Sequence, residues 1–270
     1  MRKRLLLVAI VAVLLLAVAV PVMAVQFGEP DTDPVMYPSV GLLVTYPGSG
    51  PYVYLCTVAL IDANSVLTAG HCTDGALVDD PGTWFPETAV GFDQSYSGIS
   101  SDFWTEPDTI VGVAYTHPDY NFPSYDVGVV NLASAPADLT PYALAAPGTL
   151  DGLRGRKPIL QVAGYGMQDA LPPVFQSDLA RYRGEVKLNN LNSNTNSTFG
   201  SVQFSANPGA AHKGGTCFGD SGGPDLLNGE IVAVNSFVMN GQCMGNGWGF
   251  RVDNAEIQGW IATIAAMNGS

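Results

Sequence analysis

Short runs of β-branched and aromatic residues, each cut off by Gly, Pro, Asn or Asp, constrain this chain more than any other feature. They fall at 40–46, 52–61, 66–68, 109–115 and 127–132, and again at 159–165, 175–182, 202–204, 231–238 and 248–252. Each has strand length and turn signals at its ends, and few show helical periodicity. With 31 Gly and 19 Pro in 270 residues, punctuation is frequent enough to keep every strand short. The last segment differs. Asp253 followed by Glu256 resembles a capping box, and Ile257, Trp260, Ile261 and Ile264 then share one face. Two runs of strands with one late helix predict an all-β chain, either a pair of barrels or a sandwich. The Pro-, Gly- and Ala-rich stretch 134–157 is the best boundary between the two runs, and the acidic, Pro-rich stretch 25–39 is expected to run extended.

The N-terminus carries Arg2-Lys3-Arg4, then an apolar run from Leu5 to Val20, then Pro21-Val22-Met23-Ala24. This is the pattern of a secretory signal cleaved after Ala24. The alternative is a retained membrane anchor, because the uncharged stretch reaches Phe27 and is long enough to span. Either reading puts the bulk of the chain outside the cytoplasm, and a membrane enters only if this segment is retained.

Cys56, Cys72, Cys217 and Cys243 all lie in the exported part. An even number in an exported chain suggests two disulfides. Of the three connectivities, Cys56–Cys72 with Cys217–Cys243 closes the shortest loops. Neither pair has the tight spacing of a zinc site. Residues 25–150 hold 15 Asp and Glu and no Lys or Arg, whereas residues 151–270 hold 9 acids against 8 bases. Such acidity excludes nucleic acid as the partner. It serves either to steer cationic substrates toward one side of the molecule or to keep an exported protein soluble.

Three short segments carry chemistry. Thr68-Ala69-Gly70-His71-Cys72 ends an apolar strand, and a disulfide at Cys72 would hold the histidine in the fixed orientation that a general base needs. Gly219-Asp220-Ser221-Gly222-Gly223-Pro224 places a serine in a tight turn whose amides at Gly219 and Ser221 can converge on a developing oxyanion. Tyr125-Asp126-Val127-Gly128-Val129-Val130 opens an apolar strand with an acid, which calls for a donor such as an imidazole N–H. By contrast, His117 before Pro118 and His212 in a Gly- and Ala-rich loop read as structural or incidental.

The order His71, Asp126, Ser221 and the motifs TAGHC, DVGVV and GDSGGP resemble the chymotrypsin-like serine peptidases, in their bacterial, secreted form, over roughly residues 40–265. The resemblance implies two packed antiparallel six-stranded β-barrels with a C-terminal α-helix. It divides the chain into a signal peptide (1–24), an N-terminal extended segment (25–39), an N-terminal barrel (40–145), a C-terminal barrel (146–253) and a helix and tail (254–270). It implies a secreted endopeptidase, expected to be monomeric, that acts on polypeptides without a cofactor or catalytic metal. His71 would be base then acid, Asp126 its orienter, Ser221 the nucleophile, and the Gly219 and Ser221 amides the oxyanion hole. The two cysteine pairs match as well. One ties the loop of the histidine, and the other ties the serine loop to the wall of the specificity pocket.

That pocket would comprise Gly215, Thr216, Ser236, Phe237, Val238 and Gly247, with Gly249 also leaving room. Gly215 at its base offers no partner to Lys or Arg, so small or medium apolar residues are expected before the scissile bond. Val238 should narrow the entrance. The family pairs an acid, here Asp220, with an N-terminus freed by proteolysis. No Ile-Val-Gly-Gly start is present, so either a protease cuts near residues 37–40 or Asp220 has another partner. Asp225, in a normally apolar strand, also calls for a partner. The alternatives are a non-catalytic homologue that binds peptides, and an esterase, whose Gly-x-Ser-x-Gly elbow is absent. Acidic loops such as 74–80 could supply oxygen ligands to calcium but lack EF-hand spacing. Asn196-Ser197-Thr198 is a glycosylation sequon.

Overall fold

The computed structural model describes residues 24–269 except 33, 46–52, 75–87, 99–102, 104–105, 107, 154, 169, 171–176, 192–199 and 206–213. Thirteen strands lie among them. The first barrel contains β2 (Val40–Thr45), β3 (Tyr54–Leu60), β4 (Ser65–Thr68), β5 (Thr88–Gly91), β6 (Thr109–Thr116) and β7 (Gly128–Leu132). They close in the order β2-β3-β4-β7-β6-β5, all antiparallel. The second contains β8 (Ile159–Gly164), β9 (Tyr182–Asn190), β10 (Ser201–Ser205), β11 (Pro224–Leu227), β12 (Glu230–Val238) and β13 (Asn246–Arg251). Its order is β8-β9-β10-β13-β12-β11, and pairing of β11 with β8 closes the ring. A two-residue strand, β1 (Glu29–Pro30), adds to β9 from outside. The architecture is therefore two six-stranded antiparallel barrels, and closure removes the open edges that short strands would otherwise expose.

Three strands differ from the sequence reading. Of the run expected at 175–182, residues 175–176 lie outside the described residues, 177–181 form no strand, and β9 runs from Tyr182 to Asn190. Its alternation hides Tyr182, Gly184, Val186 and Leu188 while Arg183, Glu185 and Lys187 face outward, a pattern diluted by charge. β5 is only four residues, and β11 opens with Pro and Asp, both poor strand formers. Burial between β12 and β8 overrides that propensity.

The helix spans Ala255–Ala266 and buries Ile257, Ile261 and Ile264. Its N-cap is Asn254, one residue later than expected, whose Oδ1 accepts from the N–H of Glu256 at 2.8 Å and of Ile257 at 3.4 Å. Asp253 is engaged elsewhere. It accepts from Arg251 Nε at 2.8 Å and from the N–H of Leu150 at 2.7 Å. The helix returns to the first barrel, where Asn131 Nδ2 donates to the carbonyl of Ile264 at 2.9 Å.

A buried ion pair also joins the two halves. Arg181, 2% exposed, donates through Nε to Asp31 at 2.9 Å. Its Nη1 donates to the carbonyls of Val40 and Phe92, both at 3.0 Å, and lies 3.0 Å from the hydroxyl of Tyr165. Val40 is thus locked into the barrel wall, with its own N–H donating to the carbonyl of Tyr37 at 3.0 Å.

Candidate active site

The site lies where the barrels meet, and its parts come from loops held by both. After β4 the chain makes one helical turn, Gly70–Thr73, which presents His71. The Cys56–Cys72 disulfide fastens this turn to β3. Asp126 precedes β7, and its side chain is fully buried. Its carboxylate accepts the backbone N–H of His71 at 2.8 Å and faces ring Nδ1 at 2.9 and 3.1 Å. Ser236 Oγ donates to the same carboxylate. A proton on Nδ1 satisfies that pairing and leaves Nε2 as the acceptor. The imidazole is thus gripped through both its main chain and its ring, yet remains 26% exposed.

Ser221 comes from the second barrel. Its carbonyl accepts the N–H of Thr57 on β3 at 2.8 Å, and the Sγ of Cys72 stands 3.7 Å from the same oxygen. The following Gly222 has φ of +80°, and a Cβ there would stand 2.0 Å from Thr68 Oγ1. Only glycine lets the serine loop approach the first barrel so closely. The Cys217–Cys243 disulfide closes the other side of this loop. Both disulfides have the pairing expected from the sequence. The N–H of Met167 donates to the carbonyl of Phe218 at 2.8 Å, which fixes the peptide leading into Gly219. Among the described residues, the N–H groups of Gly219 and Ser221 have no acceptor.

His71, Ser221, Thr216, Ser236, Phe237 and Val238 line one cavity of about 300 Å³. The sequence reading missed Tyr120, Phe122, Phe218 and Asn235 on its walls. Phe122 meets His71 edge-on at 5.8 Å and Phe237 at 5.7 Å, and Phe237 stacks on Trp248 at 4.9 Å. These aromatics are far apart in sequence, so no local motif announces them. Gly247 does not open space as expected, because the ring of Phe204 fills the place its side chain would take. Gly215 donates its N–H to the carbonyl of Gln26 at 3.0 Å.

Asp220 is buried, and its carboxylate accepts the N–H groups of Gly166 and Cys217, each at 2.9 Å. Burial pushes its carboxyl up to about 7, with the two N–H donors pulling it back. His117 stacks on Tyr125 and leans on Trp260, away from this cavity. Burial lowers its pKa. Cys56, His71 and Cys72 bring candidate ligand atoms within 4.8 Å of one another, but both sulfurs are spent in a disulfide and offer no thiolate. His212, the sequon at Asn196 and most of the acidic loop 74–80 lie outside the described residues.

A two-barrel fold with a histidine, a buried aspartate and a glycine-cradled serine at the seam defines a hydrolase of the serine-peptidase class. The trypsin family model matches residues 39–261, and the chain belongs to that family, whose fold and kinship make it a peptide-bond hydrolase. It is 31% identical to phenoloxidase-activating enzyme 1 of Spodoptera litura, over 90% of this chain and 67% of that protein. Two solved structures share the fold at low identity. Neuropsin, a serine protease expressed in the limbic system of mouse brain, has a TM-score of 0.60 at 20% identity, covering 88% of this chain and 97% of that one. HL collagenase has a TM-score of 0.63 at 16% identity, covering 90% and 98%.

Proposed function

We propose that the protein is a secreted endopeptidase in which Ser221 attacks the peptide carbonyl. His71 Nε2 takes the serine proton and then delivers it to the departing amine. Asp126 holds the imidazole and stabilises its cation, and water later frees the acyl group from Ser221 by the reverse route. The amides of Gly219 and Ser221 receive the oxyanion. The observation that carries this reading is the double grip of Asp126 on the main chain and ring of His71, because it selects the tautomer with Nε2 free. Cleavage of an unfolded polypeptide should vanish in Ser221→Ala, with a loss of about 10⁶-fold in kcat. Wild-type protein that is folded yet inert on polypeptides would refute it.

Maturation follows from the other end of the chain. Cleavage of a signal after Ala24 would make Val25 the first residue. Val25 is fully buried, and Gln26 beside it pairs with Gly215 and donates Nε2 to the carbonyl of Gln242 at 2.7 Å. The new α-amine would emerge beside the serine loop and supply the cation that Asp220 lacks among the described residues. In this reading, export itself completes the site, with no separate activating protease. Among the described residues no helix is long and apolar enough to cross a membrane, and the apolar run Leu5–Val20 lies outside them. Gly215, taken alone, favours a small or medium apolar side chain before the scissile bond.

A further inference from the structure

Asp225 follows Ser221 by four residues, on β11, and is fully buried. Neither of its carboxylate oxygens has a hydrogen-bond partner among the described residues. Asn235 Oδ1 is buried and unpartnered too. Buried acceptors are ordinarily satisfied, and an unpaired buried carboxylate is among the costliest groups a fold can carry. Among the described residues no charged group offsets it. Burial alone pushes its carboxyl up to about 8. The guanidinium of Arg251 is turned to Asp151 and Asp253 instead.

Strand register shows where these orphaned atoms lie. Asp225 pairs with Ala233, which shares a face of β12 with Asn235, and Asn235 pairs with Gly249 of β13. Asp225, Asn235 and Gly249 therefore stand on one sheet face. A Cβ on Gly249 would lie 2.4 Å from Asp225 Oδ2, so the glycine leaves the room that the carboxylate occupies. Asn235 is also a wall of the cavity that holds His71 and Ser221.

The geometry points to Asp225 as the charged floor of the substrate pocket, where it and Asn235 receive the cationic side chain of an arginine or lysine preceding the scissile bond. Three acceptor atoms without donors match the several N–H groups of a guanidinium or ammonium. The methylene stem of such a side chain would cross the apolar upper pocket beside Phe237 and Val238. The field of the molecule agrees, since residues 25–150 hold 15 acids and no base. This inference rests on the endopeptidase reading and replaces the apolar preference expected from Gly215.

The test has two arms. In the first, benzamidine is titrated against folded Ser221→Ala protein, which needs no activity, and melting temperature is read. The expected result is a concentration-dependent rise that is lost in Ser221→Ala/Asp225→Asn and in Ser221→Ala/Gly249→Ala. In the second, peptides differing only in Arg, citrulline or Leu before the scissile bond are compared. Arg should exceed citrulline by at least about 100-fold in kcat/KM, as loss of a buried charge pair implies, and Asp225→Asn should collapse that ratio at least tenfold. No benzamidine effect, together with Leu cleaved as well as Arg, would overturn the inference while leaving the peptidase intact. Benzamidine binding without any peptide cleavage would support the pocket and defeat the endopeptidase reading instead.

Discussion

The hydroxyl of Thr57, on β3 of the first barrel, donates to the carbonyl of Gly219 in the serine loop of the second at 2.8 Å. Thr57 Oγ1 in turn accepts the N–H of Tyr165 at 3.2 Å, and the backbone N–H of Thr57 donates to the carbonyl of Ser221. One residue of the histidine's barrel thus fixes two carbonyls of the serine's loop. Thr57→Val keeps the shape and removes the donor, leaving buried polar groups unsatisfied at a cost of about 1–3 kcal/mol. We expect kcat to fall about 10- to 100-fold with KM little changed, because a displaced loop mispositions Ser221. Steady-state kinetics check this, and Thr57→Ser should restore most of the loss.

Gly222→Ala tests the close approach of the barrels. Its Cβ would stand 2.0 Å from Thr68 Oγ1 and 2.6 Å from the carbonyl of Thr57, on a backbone with φ of +80°. The clash and the backbone strain act together, so destabilisation should exceed about 3 kcal/mol. Urea unfolding followed by tryptophan fluorescence reads the shift directly.

Much of this site was legible in the sequence because its chemistry is local. His71 with Cys72, the loop around Ser221 and Asp126 at the head of a strand each announce themselves within six residues. The short β-branched and aromatic runs bounded by turn residues likewise foretold most strands of both barrels. What escaped depends on contacts between distant segments. Phe122 and Phe237 reach the cavity from opposite barrels. Arg181 and Asp31 are separated by 150 residues, and nothing around either one signals a buried pair. The covering of Gly247 by Phe204 arises from cross-strand register, which composition does not encode.

Arg181→Met should be strongly destabilising. It strands the buried carboxylate of Asp31 and frees the carbonyls of Val40 and Phe92 from their donor. Breaking one side of a buried pair costs about 3–5 kcal/mol. Arg181→Met/Asp31→Asn should recover part of that loss, and a double-mutant cycle from denaturation midpoints measures the coupling.

Asp220 gives a pH signature that depends on maturation. In protein still joined ahead of Val25, its carboxyl is raised from 3.8 to about 7. The folded state then binds the proton more tightly than the unfolded state does. Its contribution to stability is complete below about pH 4, falls as pH rises toward 7, and is lost above that. Cleaved protein, with the Val25 amine beside the carboxylate, should lose that slope, as should Asp220→Asn. Stability measured from pH 4 to 8 on uncleaved and cleaved protein compares the two, and identical slopes would contradict the proposed role of Val25.

A Ser221 nucleophile activated by His71 and Asp126 should react covalently with a serine-directed probe. A fluorophosphonate probe should attach to wild-type protein with one-to-one stoichiometry, and peptide mapping should place it on Ser221. Labelling should be abolished in Ser221→Ala and slowed by about 10⁴-fold in Asp126→Asn, which spoils the tautomer. Folded, cleaved wild-type protein that fails to label, or equal labelling of Ser221→Ala, would rule out Ser221 as the activated nucleophile.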